Sequence, residues 1–554
     1  MTLLIDLFGY LSIVVHGLTI VAQSMALGGV LFLALLVHPL ASQLGSAGES
    51  IGRTCARLAA WSAIALVVCE LATVGLQSAV LVGTVDLSLG EVMGAHFAIA
   101  GMVKAAAAAL IALTLFTLGQ RAPVAPLLVL TAIELAAATL TTHAAARLDN
   151  RTPLLLVEGL HQFGAAIWIG GIPSFLLALG RIHNGQALRL VGTRFSRMSM
   201  VGVACILVSG ITMWLLYVGD WQGFYGTAYG VMVGAKIAMF LMLLGLGAAN
   251  FLLVEHLRTT PSAPITRLKR FAEIEIGIGV AIFFAAASLT SVPPAVDLTQ
   301  DRVTWPEIIE RNTPQWPRFA SPDHDALALP ALQAKLDADA AHRNAKPQIA
   351  FVPGSGDLPP RNAADIAWSE YNHHWSGLFV LAIGVLSLLN QAGLRWARHW
   401  PLLFLGLAGF LFLRSDPEVW PLGDIGFFAS FRDVEVLQHR IFVALIAAFA
   451  IFEWRVRTGR ETNPKAALVF PLLCAGGGIL LLTHSHAIAN VKDQLLIELT
   501  HTPLALTGIV AGCARWLELR LDHATNPVAS RIAAWLWPVC FILVGLMLLG
   551  YREA

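Results

Sequence analysis

The chain has 554 residues, of which 57% are hydrophobic and only 13% charged, and its mean hydropathy is +0.71. Soluble domains carry roughly 25% charged residues, so a soluble globular protein is excluded and a polytopic all-α membrane bundle is expected, with lipid as its main surroundings. A net charge of +1 with no basic tail gives no case for nucleic acid, and six cysteines without a CxxC indicate neither a disulfide framework nor a thiolate metal site.

A helix that crosses a bilayer needs about 20 mostly apolar residues. About 14 such spans are expected, the first eight at about 8–36, 58–83, 96–118, 124–143, 154–180, 197–218, 228–254 and 271–292. Six more are expected at about 373–393, 400–414, 434–454, 466–486, 493–516 and 531–550. Apolar runs such as Leu58–Val82 lack the alternation of a membrane β-barrel. No Lys or Arg precedes Arg53, so the first run reads as a retained span and not as a cleavable leader.

Loop charges set the orientation. The connections after spans 1, 3, 5 and 7 carry Arg53/Arg57, Arg121, Arg181/Arg189/Arg194/Arg197 and Arg258/Arg267/Lys269/Arg270, whereas those after spans 2 and 6 carry Asp86/Glu91 and Asp220 without a basic residue. The positive-inside rule then puts the Arg-rich loops in the cytoplasm and both termini outside, in the periplasm. Three parts are expected: an eight-span membrane domain at 1–292, an outer linker at 293–372 with one short helix near 329–341, and a six-span domain at 373–554.

An internal repeat crosses the linker. LTTHAAARLDNRTPLLLVEGLHQFGAAIWIGG (140–171) aligns with LLTHSHAIANVKDQLLIELTHTPLALTGIVAG (481–512), each being a span that ends in Thr-His followed by Glu-x-x-His in the next. The copies run in the same direction, which makes the repeat parallel.

Histidine carries the chemical signal. Ten of the 17 (His16, His96, His143, His161, His373, His374, His439, His484, His486 and His501) fall within spans or at their outer ends, and polar titratable groups in hydrocarbon are costly. Glu158 with His161 and Glu498 with His501 share a helix face at i, i+3, so each carboxylate is a second ligand or a partner that orients the imidazole; a plain interhelical hydrogen bond is the alternative. His484-x-His486 suits Cu(II), Zn(II) or Ni(II). Of the adjacent pair His373 and His374, which point about 100° apart on a helix, only one is expected to join a shared site, taken here as His374. His439 completes the metal candidates. Glu70 and Glu134, with Lys104 and Lys236, lie well inside spans and are expected to form a transport path or an interhelical ion pair. The 11 methionines avoid the histidine layer, which favours Cu(II), Zn(II) or haem iron over Cu(I).

At Glu158-Gly-Leu-His161, the following Ala-Ala-Ile-Trp168-Ile-Gly-Gly171, the Thr-Thr-His that ends span 4 and Arg194-Phe-Ser-Arg197, the chain resembles the bacterial copper-resistance protein D family. The resemblance spans roughly 1–292, and 400–520 looks like an extension found in longer members. It implies an inner-membrane protein that works with a periplasmic copper carrier protein and moves copper inward. Two chemical readings follow. In one, copper is captured at His143, His161, Glu158, His374, His439, His484, His486, His501 and Glu498. The alternative is a haem b oxidoreductase with axial ligands drawn from His16, His96, His161, His439 and His501. A third leaves the histidines as helix crosslinks only.

Overall fold

The computed structural model describes residues 2–553 apart from most of 328–361, from 484–490 and from a few single positions. All its regular elements are helical: α1 (Thr2–Phe32), α2 (His38–Val85), α3 (His96–Leu118), α4 (Val124–Thr139), α5 (Arg151–Trp168), α6 (Ile172–Leu179), α7 (Gly185–Met213), α8 (Ala228–Thr259) and α9 (Thr266–Leu289) make the first half. After a short helix α10 (Trp305–Asn312), the second half holds α11 (Ala363–Gln391), α12 (Leu403–Arg414), α13 (Val434–Arg457), α14 (Val469–Leu482), α15 (Val491–Arg520) and α16 (Pro527–Leu549).

Among the described residues, 11 helical segments are long and apolar enough to cross a membrane, and Val124–Thr139 and Ala466–Leu482 are shorter apolar helices. The first of the 11, Phe8–Val85, contains the first two expected spans. The sequence suggests a loop between them, but the backbone stays helical, with a π-turn at Leu33–Val37 and a kink at Gly45. Gly45 has φ +54°, a left-handed value that only glycine adopts without strain, so one residue turns the chain while the helix resumes around it.

Small residues let the helices touch. In a bilayer no hydrophobic drive pulls helix to helix, and close backbone approach supplies the packing instead. A Cβ on Gly28 of α1 would strike the Gly170 backbone, and one on Gly170 would strike the Ser24 carbonyl oxygen. Here the expected fifth span breaks: α5 ends at Trp168, and α6 starts beyond Gly170-Gly171 with Pro173 in its first turn. In the second half Gly384 and Gly545 seat α11 against α16, and Gly478 and Gly512 seat α14 against α15.

The halves meet where α8 and α9 pack against α15, with Leu482, Ala505 and Ile509 entering the core built mainly by the first half. At the Arg-rich end, Trp516 Nε1 donates to Glu273 Oε2 at 2.7 Å and Arg520 reaches Oε1 at 3.0 Å.

The segment after α9 straps the opposite end. Arg302 pairs with Asp220 at 2.9 Å, and the Gly223 amide and then Arg302 hold the Asp220 carboxyl below the usual carboxylate range. Arg311 donates to the Glu553 carbonyl at 2.6 Å and Arg552 to the Glu310 carbonyl at 2.7 Å, which ties α10 to the chain beyond α16. The helix expected near 329–341 lies on residues outside the described ones. The helix found is α10, and its capping box (Thr304 with Glu307) and Pro306 were the signals for it.

Candidate functional site

In the first half the side chains near the strapped end form a chain of contacts across α1, α5 and α7. Ser209 Oγ on α7 donates to the Cys205 carbonyl at 2.6 Å, so its remaining role toward His161 Nδ1, 2.9 Å away, is acceptor. His161 therefore holds its proton on Nδ1 and presents the Nε2 lone pair. Glu158 does not orient His161, as the i, i+3 spacing suggested. It accepts from Gln162 at 3.1 Å, and Gln162 Oε1 accepts from Gln23 of α1 at 3.1 Å. The charge of Lys236 acts on His161, and that of Glu158 on Lys236.

His143 opens the short helix that follows α4. Its ring bonds the Thr290 backbone and feels Glu158, while Nε2 is buried with no partner among the described residues. His16 of α1 is coupled to His143 and to Lys104. His96 begins α3 and is exposed, apart from the others.

The second half repeats the pattern. Glu498 of α15 accepts from Thr502 at 3.0 Å, and His501 Nδ1 donates to the Ile497 carbonyl at 2.9 Å. In both copies the carboxylate bonds the residue four places on, and the imidazole looks elsewhere. Of the adjacent histidines on α11, His373 is the one beside His501, with ring centroids 6.4 Å apart. It donates from Nδ1 to the Ser369 carbonyl at 2.8 Å and stacks on Tyr551 at 3.8 Å. Tyr551 donates to Glu553 at 2.9 Å, and Ser369 bonds the same carboxylate. His374 has both nitrogens engaged: Nδ1 accepts from the Arg318 amide at 2.7 Å, and Nε2 donates to the Tyr551 carbonyl at 2.9 Å. His374 thus fastens the strap.

His439 Nδ1 lies 2.6 Å from Asp416 Oδ1. A carboxylate there fixes the ring and its tautomer. His484 and His486 lie outside the described residues. Among those described, no group of three or more His, Cys, Asp or Glu side chains is close enough to hold a metal ion. The sequence reading missed His373 as the neighbour of His501, Asp416 as the partner of His439, and Ser209, Gln23 and Gln162. Asp416 stands in the charged Arg-Ser-Asp-Pro-Glu stretch, which was its available signal.

Deeper between the helices, Lys104 Nζ of α3 pairs with Glu70 Oε1 of α2 at 2.7 Å, both side chains being almost fully buried. Glu134 of α4 has no exposed surface. The ion pair expected among these groups is present.

Residues 189–289, which hold nearly all of α7 and the whole of α8 and α9, match the family model described as Copper resistance protein D. Through that stretch the chain is similar to the copper resistance protein D family. Two relatives agree. Copper transport protein CutJ of Bacillus subtilis is 33% identical over 172 residues, 30% of this chain and 30% of the relative. Copper resistance protein D of Pseudomonas syringae pv. tomato is 31% identical over 97 residues, 16% of this chain and 31% of the relative. The chain thus matches less than a third of the length of either. No solved structure matches. Arg194-Phe-Ser-Arg197 falls inside the family match, whereas Glu158–Gly171 lies before it. The second half, with His373, His439 and His501, also lies beyond the match.

Proposed function

We propose that this protein captures copper near the outer end of its helical bundle and moves it across the bacterial inner membrane. The observation that carries this reading is the family match at 189–289, together with two relatives named for copper transport and copper resistance. In the proposed arrangement both termini and the strap face the periplasm and receive copper from a periplasmic carrier protein. The capture groups are His16, His143, Glu158 and His161 in the first half, and His373, His439, Glu498 and His501 with His484 and His486 in the second.

The imidazole geometry supports this role. His161 and His373 both commit Nδ1 to a protein acceptor, and such a bond turns Nε2 into the ligating atom. Groups of one or two imidazoles, spaced apart, suit a transporter better than a closed four-ligand cage, because a carrier must also release its cargo.

Metal analysis of detergent-purified protein, with copper uptake into proteoliposomes, tests the reading. Wild type is expected to retain copper and take it up, and His161→Ala and His373→Ala are expected to lose both while eluting as wild type does. The visible spectrum of the same samples tests haem b ligation. A Soret band abolished by His161→Ala or His501→Ala would replace copper transport with the haem reading, and protein with neither copper nor flux would end the copper proposal.

A further inference from the structure

Glu134 sits in the bundle with a side chain that none of the described residues satisfies. It has no exposed surface, and neither carboxylate oxygen has a hydrogen-bond partner among the described residues. Three residues earlier on the same face of α4, the Thr131 hydroxyl is also buried and without a partner. The charges that act on Glu134 are those of Lys104 on α3 and Glu70 on α2. These two are already closed on each other at 2.7 Å, and Lys104 also reaches Thr141 Oγ1 at 3.5 Å. The other helices packed against α4 bring His16 from α1, which couples to Lys104, and Glu158 and His161 from α5, which are held by Gln162 and Ser209.

The charge count decides what the site needs. One ammonium faces two carboxylates, so full ionisation would leave one uncompensated negative charge in hydrocarbon. An ionised carboxylate with no hydrogen bond is among the most costly groups to bury. A bound positive species removes that cost. The donors here are hard carboxylate and hydroxyl oxygens, which suit a proton and not a soft metal ion.

We propose that Glu134 carries an exchangeable proton, and that Glu70, Lys104 and Glu134 form the site through which a proton gradient drives transport. When the Glu134 O–H bond breaks and its proton leaves to water, the Lys104 ammonium turns from Glu70 to the new carboxylate. Glu70 then takes up the next proton, so one O–H bond forms for each that breaks and no electrons move. The proposal rests on the copper reading only for the identity of the cargo.

Infrared spectroscopy of the full-length protein at neutral pH reads the proton directly. Wild type is expected to show the C=O stretch of a protonated carboxyl, shifted in heavy water. Glu134→Gln should lose that component, whereas Glu275→Gln, which alters a buried carboxyl on α9 bonded by Asn250, should keep it. Glu134→Asp preserves the acid and should retain a shifted band, which covers the case of a misfolded glutamine variant. An unchanged spectrum in folded Glu134→Gln overturns the proposal. In proteoliposomes with a pH dye inside, copper-driven proton movement is expected in wild type and lost in Glu134→Gln, with copper binding intact. Copper flux without a pH change would refute the coupling and leave copper transport standing. Protein that binds no copper but keeps the Glu134 band would remove the cargo and leave the proton site.

Discussion

Lys104→Met should be among the most damaging single substitutions in the first half, lowering stability by about 3–5 kcal/mol, the usual cost of removing one member of a buried ion pair. Glu70 is 1% exposed and Glu134 has no exposed surface. With Glu134 protonated, loss of the ammonium leaves the Glu70 carboxylate buried with no counter-charge. Methionine fills the space of the lysine stem, so the loss reports charge and not volume. The double variant Glu70→Gln/Lys104→Met removes both charges and should regain most of the lost stability, since replacing a whole buried pair is often neutral. Thermal unfolding in detergent, followed by the loss of monodisperse protein, gives the comparison. If the single and double variants melt alike, the pair contributes nothing beyond packing.

The same region shows how far the sequence could be read. Apolar run length located the helices, because a span must bury about 30 Å of backbone in hydrocarbon, and each of the 14 apolar runs overlaps helix among the described residues. The buried acids and bases were legible for the same reason: a charge inside an apolar run stands out. Partner choice was not. Glu158 and His161 lie three apart, yet Glu158 bonds Gln162 and His161 bonds Ser209, 48 positions away. Which of His373 and His374 meets His501 depended on Arg318 and Tyr551, 56 and 177 positions from His374. Contacts over such separations leave no local signal. The helix α10 did leave one, in Thr304-x-x-Glu307, within the stretch read as an outer linker whose helix was expected further on, near 329–341.

Gly170→Ala should separate α1 from the α5–α6 break and cost about 1–3 kcal/mol, the range for forcing extra volume into a packed interior. The added methyl meets the Ser24 carbonyl and the Ala166 carbonyl, and these are backbone atoms of two helices that cannot swing aside as a long side chain would. Gly75→Ala is the control. Nothing lies within 4 Å of a Cβ there, and alanine in a helix interior is favoured over glycine by roughly 0.5–1 kcal/mol, so that variant should melt at or above wild type. The contrast reaches function because α1 carries His16 and Gln23, while α5 carries Glu158, His161 and Gln162. A shift at Gly170 should break the Gln23–Gln162–Glu158 chain and lower copper retention even in protein that still folds. If Gly170→Ala matches Gly75→Ala in both melting and metal content, then close backbone approach does not hold these helices in register, and the placement of the first-half imidazoles must depend on other contacts.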